Sequence, residues 1–280
     1  MFFVGFLITR IFKYFNNYNY NNINENFINI CKYNANEYAL YIIENDNNLN
    51  YNYQDENKQN TALHYVCDNK MNDVALKILD NPNINVNLQN IYKNTTLHYA
   101  CNNNCMTDVA LKILDNPNIN VNLQNKSEND VLIIACSNKM NDVALKILDN
   151  PNINVNLQNI NRTTALIMAC NNKMNDVVLK ILESSNIDVN IQSNKFKNTG
   201  LIIACNNKMN DVALKILEIN DVDVNLQNKY GNTALILACD KKMNDVALKI
   251  LDNPNVNVNL QNNDGLTSLI LACNNKMMLL

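Results

Sequence analysis

Histidine and cysteine are the residues of this chain best equipped for chemistry, and they gather in one place. His98, Cys101 and Cys105 follow one another at i, i+3 and i+7, so one imidazole and two sulfurs share a helical face. With a fourth ligand such as His64, that is the donor set of a structural zinc site. A simpler account outweighs it. Cys101 belongs to a series, Cys67, Cys101, Cys136, Cys170, Cys205, Cys239 and Cys273, whose steps are 34, 35, 34, 35, 34 and 34 residues. His64 and His98 share a register of their own, and Cys105 reads as a replacement for the lysine found there elsewhere. No metal and no cofactor is therefore expected. The chain has only those two histidines and four glycines, which leaves neither a His-based triad nor a glycine-rich phosphate loop. Its carboxylates, such as Asp73 and Asp80, fall on solvated helix ends, so the chain is not expected to be an enzyme.

What positions these residues is a repeat. A fixed period in this range signals a stacked solenoid, in which no unit buries its apolar face alone. In the unit beginning at Asn60, Thr61 precedes the apolar run Ala62 to Cys67 and reads as an N-cap, since its hydroxyl can accept from the first turn. Thr95, Asp130, Thr164, Thr199, Thr233 and Thr267 occupy the same register. A second helix is expected to be capped by Asn72, with Met71, Val74, Ala75, Ile78 and Leu79 on one stripe and Asp73 and Lys77 pairing at i,i+4 outside. Pro82, Pro117, Pro151 and Pro254 stop this helix. The connector Asn83-Ile84-Asn85-Val86-Asn87-Leu88-Gln89 alternates polar and apolar residues, as a short extended segment does.

Helix, turn, helix and extended finger in about 34 residues resembles the ankyrin repeat. Thr61-Ala62-Leu63-His64 stands where the family has T-P-L-H, Asn85-Val86-Asn87 where it has D-V-N, and Asp264-Gly265-Leu266-Thr267 matches its D-G-x-T fingertip. The resemblance covers roughly residues 24 to 280 and implies an all-α solenoid of stacked helix-turn-helix units with short extended fingers. It also implies that His64 and His98 support the fold by bonding Thr61 and Thr95. The chain departs from the pattern where Ile133, Ile167, Ile202, Ile236 and Ile270 replace the histidine, and where Lys93, Glu128, Arg162 and Lys197 replace the fingertip glycine kept at Gly231 and Gly265. A left-handed residue other than glycine costs about 1–2 kcal/mol, so these tips are expected to adopt another turn or to stay mobile.

Residues 1–23 form a hydrophobic segment with an Asn-rich linker, 24–57 a degenerate N-terminal capping repeat, 58–263 six ankyrin-like repeats, and 264–280 a truncated last repeat. The cap is placed by the eight-residue step from Cys31 to Ala39, the same as from Cys67 to Ala75. The N-terminal apolar run ends at Ile8, short of the ~20 residues that span a bilayer. Arg10 and Lys13 among Phe2, Phe3, Phe6, Ile11, Phe12 and Phe15 would suit an interfacial helix, but a helix packed on the first unit is the plainer expectation.

The net charge of −3 and a pI near 5.4 argue against nucleic acid as partner. The register cysteines lie on neighbouring units about 10 Å apart, beyond the ~7 Å Cα limit of a disulfide. They read as buried hydrophobes in a reducing compartment, so the protein is expected inside the cell, in cytoplasm or nucleus. The abundance of Asn, Ile and Lys points to A/T-rich codons, and the near-identical units resemble the ankyrin-repeat proteins of amoeba-infecting giant viruses of the mimivirus type.

The stretch MNDVALKILDNPNINVNLQN hardly changes between units, whereas the fingertips do. Tyr92, Lys93, Arg162, Phe196, Lys197 and Tyr230 are therefore the candidate protein-binding residues, the aromatics serving as anchors. The resemblance adds possible asparaginyl hydroxylation at Asn87, Asn122, Asn156, Asn190, Asn225 and Asn259. The expected function is a monomeric, non-catalytic scaffold that binds protein through its fingertips and concave helix-1 face, host-directed if viral. A membrane-tethered adaptor anchored by residues 1–15 and a substrate-recognition subunit of a ubiquitin ligase are the alternatives.

Overall fold

A threonine before one apolar run and an Asn-Asp pair opening a second set the local structure in most of the described repeats. The computed structural model describes residues 22–277. The hydrophobic segment at 1–15 and residues 278–280 lie outside them. Among the described residues there are fifteen α-helices and no strands. They fall into two compact units, Met1–Lys126 and Ser127–Leu280.

The first unit holds three helix pairs: α1 (Ile23–Lys32) with α2 (Asn36–Asn45), α3 (Ala62–Asp68) with α4 (Asn72–Leu79), and α5 (Thr96–Asn102) with α6 (Thr107–Leu114). The second holds α7 (Val131–Ser137) with α8 (Asn141–Leu148), α9 (Ala165–Asn171) with α10 (Asn175–Ile181), α11 (Gly200–Asn206) with α12 (Asn210–Ile216), α13 (Ala234–Lys241) with α14 (Asn244–Leu251), and α15 (Ser268–Asn274). Within each unit the first helices of successive repeats pack on one another, as do the second helices, and each pair packs internally. This is the stacking of an ankyrin-repeat solenoid. The seam between the layers is small and dry: Cys67, Val74, Ala75 and Ile78 in one repeat, and Cys205, Val212, Ala213 and Ile216 in another, are wholly buried. Burying one such Val or Ile contributes about 1.5–3 kcal/mol.

The first helices begin as their sequence requires. Thr61 and Thr95 accept from the backbone N–H of His64 and His98, Asp130 from Ile133, and Thr164, Thr199, Thr233 and Thr267 from the isoleucine three residues on. The second helices begin differently from expectation. Asn72 is the first helical residue, and the cap position belongs to Met71, which makes no side-chain bond. Met71 is instead fully buried, so packing fixes the entry of the chain. The Asn72 amide donates to the Cys105 carbonyl of the next repeat. Nor do the helix-2 lysines close on the aspartate four residues back. Lys112 reaches Asp80 of the preceding repeat, Lys180 reaches Asp149 and Glu183, and Lys215 reaches Glu218.

From α3 onward each first helix except α5 ends in a Schellman motif that composition conceals. Lys70, Lys139, Lys173, Lys208, Lys242 and Lys276 take φ between 52° and 61°, the left-handed conformation usually given to glycine. In each the next methionine donates back across the turn, as Met140 does to Ala135 and Met209 to Ala204. Cys105 precedes Met106 as the lysine precedes its methionine elsewhere, but it does not take the left-handed conformation. The third repeat carries one extra residue, accommodated by a 3-10 turn over Asn104–Met106 that leaves Cys105 exposed. Cys273 also departs from the buried series, because Leu269, Ile270 and Cys273 on α15 are exposed where their equivalents in earlier repeats are covered.

Candidate functional site

Most fingertips are short turns organised by one asparagine, while on the Phe196 tip Ser193 takes that place, its N–H donating to the Asn198 carbonyl and its own carbonyl accepting from Lys197. Asn90 N–H donates to the Asn94 carbonyl, its own carbonyl accepts from Lys93, and its side-chain oxygen accepts from the backbone of Tyr92 and Asn94. Asn159 and Asn228 do the same for their tips. The substituted tips do not find another turn. Lys93, Glu128, Arg162 and Lys197 all have φ between 52° and 58°, as left-handed as Gly231 and Gly265 at 74°. At Lys93 and Arg162 the Asx bonds of Asn90 and Asn159 hold that backbone in place of glycine's freedom. Only at Gly231 does space itself demand glycine: an added Cβ would lie 2.9 Å from Asn262 Cα and Asn263 N.

Adjacent tips are tied to one another through the backbone. In the first unit Ile91 N–H donates to Lys58 O and Lys126 N–H to Tyr92 O, both at 2.9 Å. In the second, Ile160 donates to Ser127, Asn194 to Asn161 (2.9 Å), Lys229 to Phe196 (2.8 Å) and Asn263 to Tyr230 (3.0 Å). Within each unit the aromatic residues are therefore presented on tips fixed to their neighbours. Tyr92 is 46%, Phe196 37% and Tyr230 53% exposed. The Lys126 ammonium sits 5.8 Å from the Tyr92 ring centroid, and Lys195 sits 5.0 Å from that of Phe196. Of the six candidate residues, Tyr92 and Lys93 share a tip in the first unit. Arg162, Phe196, Lys197 and Tyr230 stand on three consecutive tips of the second. Ile91 and Ile160, exposed beside them, were passed over in the sequence. Their signal was present, since both follow the tip asparagine directly.

Below the tips, asparagine and glutamine side chains bridge repeat to repeat. Asn87, Asn156, Asn190 and Asn225 each donate to a carbonyl of the next finger (Asn118, Asn186, Asp221 and Asn255) and accept from a backbone N–H two residues further on. These are four of the asparagines marked for possible hydroxylation. Asn122 and Asn259 donate their backbone N–H to Asn120 and Asn257. Gln89, Gln192 and Gln227 bridge in the same way, and so do the tip asparagines, Asn90 to Asn60 and Asn228 to Asn198.

His64 is a structural member of this system. Thr61 N–H donates to Nδ1 at 3.1 Å, so Nδ1 is unprotonated and Nε2–H donates to the Asn94 carbonyl of the next repeat, also 3.1 Å away. Burial lowers its pKa from 6.5 to about 4, against a partial rise from the carbonyls it bonds. His98 Nδ1 lies 2.8 Å from Thr95 Oγ1 in the equivalent position. Asp130, the one carboxylate among the helix-1 caps, has its pKa raised by burial from 3.8 to about 7, partly countered by the N–H groups of Ile133 and Leu132. Burial likewise raises the Cys170 and Cys205 thiols to about 12, which removes their nucleophilic form at neutral pH. Among the described residues no three His, Cys, Asp or Glu side chains are grouped to hold a metal ion.

Stacked helix pairs, Thr-capped first helices and hydrogen-bonded fingers are what the ankyrin family builds, and the comparisons agree. A family profile described as ankyrin repeats (many copies) matches residues 186–238 and 216–272, and one described as ankyrin repeats (3 copies) matches 97–193. Together these span more than half of the chain, which belongs to the ankyrin-repeat family. Such repeats generally serve as protein-interaction scaffolds. No curated protein matches the chain. Among solved structures, the ankyrin repeat domain of Bcl-3, described as a unique member of the IkappaB protein family, is 19% identical, with a TM-score of 0.55 over 76% of this chain and 94% of that one. The ankyrin repeat protein EF0377 is 23% identical, with a TM-score of 0.55 over 68% of this chain and 96% of that one. At these identities the likeness is one of fold.

Proposed function

We propose that this chain is a non-catalytic scaffold that engages another protein through its fingertips. The observation that carries the reading is the set of exposed aromatic rings held on hydrogen-bonded tips, above finger bases whose polar groups are spent on bridging repeats. Rigid, half-exposed aromatics with cationic neighbours are the side chains that dominate binding energies at interfaces. The helix-1 face contributes less, because most of its side chains, from Val131 to Cys136 and from Leu201 to Cys205, are buried. The resemblance to giant-virus arrays favours a host protein as the partner, and the free, buried thiols favour a reducing compartment. Among the described residues no helix is long and apolar enough to cross a membrane. An asparaginyl hydroxylase acting at Asn87, Asn156, Asn190 or Asn225 would first have to free an amide that bridges two repeats.

A photoreactive phenylalanine analogue placed at position 196 or 230, and separately at Lys180 on α10, tests this. A discrete protein crosslinked from cell extract by the fingertip probes alone is the expected result. Crosslinking from position 180 alone, or from none, would overturn the fingertip reading.

A further inference from the structure

Within the second unit, three consecutive tips carry Arg162, Lys195, Lys197 and Lys229, and the acidic tip residues Glu128 and Asp264 stand on the fingers to either side. All four cations lie on tips that are exposed to solvent. Lys195 is held over Phe196, and the bonds from Asn194 to Asn161 and from Lys229 to Phe196 lock the three tips in register. A chain of net charge −3 thus concentrates positive charge and two exposed rings on one short edge. Resting on the fingertip reading above, we infer that this edge receives an acidic polypeptide segment whose carboxylates alternate with aromatic or aliphatic side chains.

The dimensions and charge select that occupant. Three stacked repeats span roughly 20 Å at the usual interaxial spacing, the reach of about six or seven residues of extended chain. A segment of that length meets the four cations and two rings and stops short of Glu128 and Asp264. A nucleic acid brings a negative charge every ~1.7 Å of duplex axis and continues past the strip, into those carboxylates and an acidic protein. The apolar rings add what a purely ionic edge lacks, contact area that survives salt, so binding is steered by charge and held by Phe196 and Tyr230.

The test is fluorescence anisotropy of the full chain with a labelled glutamate–tyrosine copolymer at ~50 mM salt. The expected result is saturable binding, weakened at least about tenfold by Lys195→Glu/Lys197→Glu/Lys229→Glu and several-fold by Phe196→Ala/Tyr230→Ala. The control is Lys139→Glu/Lys173→Glu/Lys208→Glu, which changes net charge equally at the helix turns and should leave binding within about twofold. Circular dichroism of every variant confirms that the helices persist. Equal losses in both triple variants, no binding, or tighter binding of a single-stranded thymidine oligonucleotide would each overturn the inference. A protein that crosslinks to position 196 or 230 but is not displaced by the copolymer would also overturn it while leaving the scaffold reading intact.

Discussion

Thr96 shows how finely the repeat is tuned at single positions. It opens α5 where other repeats place Ala62, Val131 or Ala165, and its hydroxyl is buried with no hydrogen-bond partner. An unpaired buried hydroxyl costs about 1–3 kcal/mol, and Val131 shows that the register accepts the isosteric hydrocarbon. Thr96→Val should therefore raise stability by roughly 1–2 kcal/mol, read as a higher urea midpoint of the first unit. Cysteine gives a second test at this scale. Nine thiols are free, but only Cys105 and Cys273 are exposed, the one through an inserted residue and the other through the open face of α15. A thiol reagent should modify two groups quickly and the rest only after unfolding. A third fast thiol, or loss of the fast phase on anything other than replacing Cys105 and Cys273, would contradict the structure. The caps were readable in the sequence because a threonine three residues before a histidine or isoleucine needs no distant partner. The 3-10 turn at Cys105 was not legible, because one extra residue reshapes the turn while leaving the helices on either side unchanged in pattern.

Elements in this chain are joined by polar bridges as much as by apolar contact. Asn190 both donates to Asp221 O and accepts from Asp223 N, so Asn190→Ala removes two inter-repeat bonds at once. At about 0.5–1.5 kcal/mol each, the loss should be roughly 1–3 kcal/mol, whereas the exposed helix-end Asn206 should tolerate alanine within ~0.5 kcal/mol. Chemical denaturation of the two variants side by side measures the difference. The turns predict a change of opposite sign. Lys139, Lys173 and Lys208 hold φ near 57° at Schellman positions, so Lys→Gly at each should add up to about 1 kcal/mol, the left-handed strain relieved minus glycine's greater entropy in the unfolded chain. The helix pairs and their period were legible because apolar spacing alone sets them. The asparagine bridges and left-handed lysines were not. A side chain that bonds 30 residues away leaves no local pattern, and a Schellman turn written with lysine lacks the glycine that normally announces it.

At the scale of the whole molecule, the two units carry opposite responses to acid. His64 in the first is neutral when folded, its pKa lowered to about 4 from 6.5, so the unfolded chain binds the extra proton as pH falls. Its contribution is complete above pH 6.5 and is lost between there and pH 4, amounting to at most about 3 kcal/mol. Asp130 in the second has its pKa raised from 3.8 to about 7, so the folded state holds the proton longer. The stability tied to it is complete below pH 3.8 and is lost as pH rises through 7, with an upper bound of about 4 kcal/mol. Between pH 7 and 5 most other carboxylates stay ionised, so the two units should diverge on mild acidification, the first weakening while the second strengthens. Hydrogen exchange followed by mass spectrometry resolves the units peptide by peptide. Protection of α3 and α4 should fall from pH 7 to 5, and that of α7 and α8 should rise, once intrinsic exchange rates are divided out. His64→Ile, which installs the residue found in the later repeats, should flatten the first slope. Asp130→Asn, which keeps a competent cap without the charge, should flatten the second and stabilise the protein at pH 8 by roughly 2–4 kcal/mol. Parallel slopes in both units, or an Asp130→Asn gain that does not grow with pH, would show that these two buried groups do not govern the response.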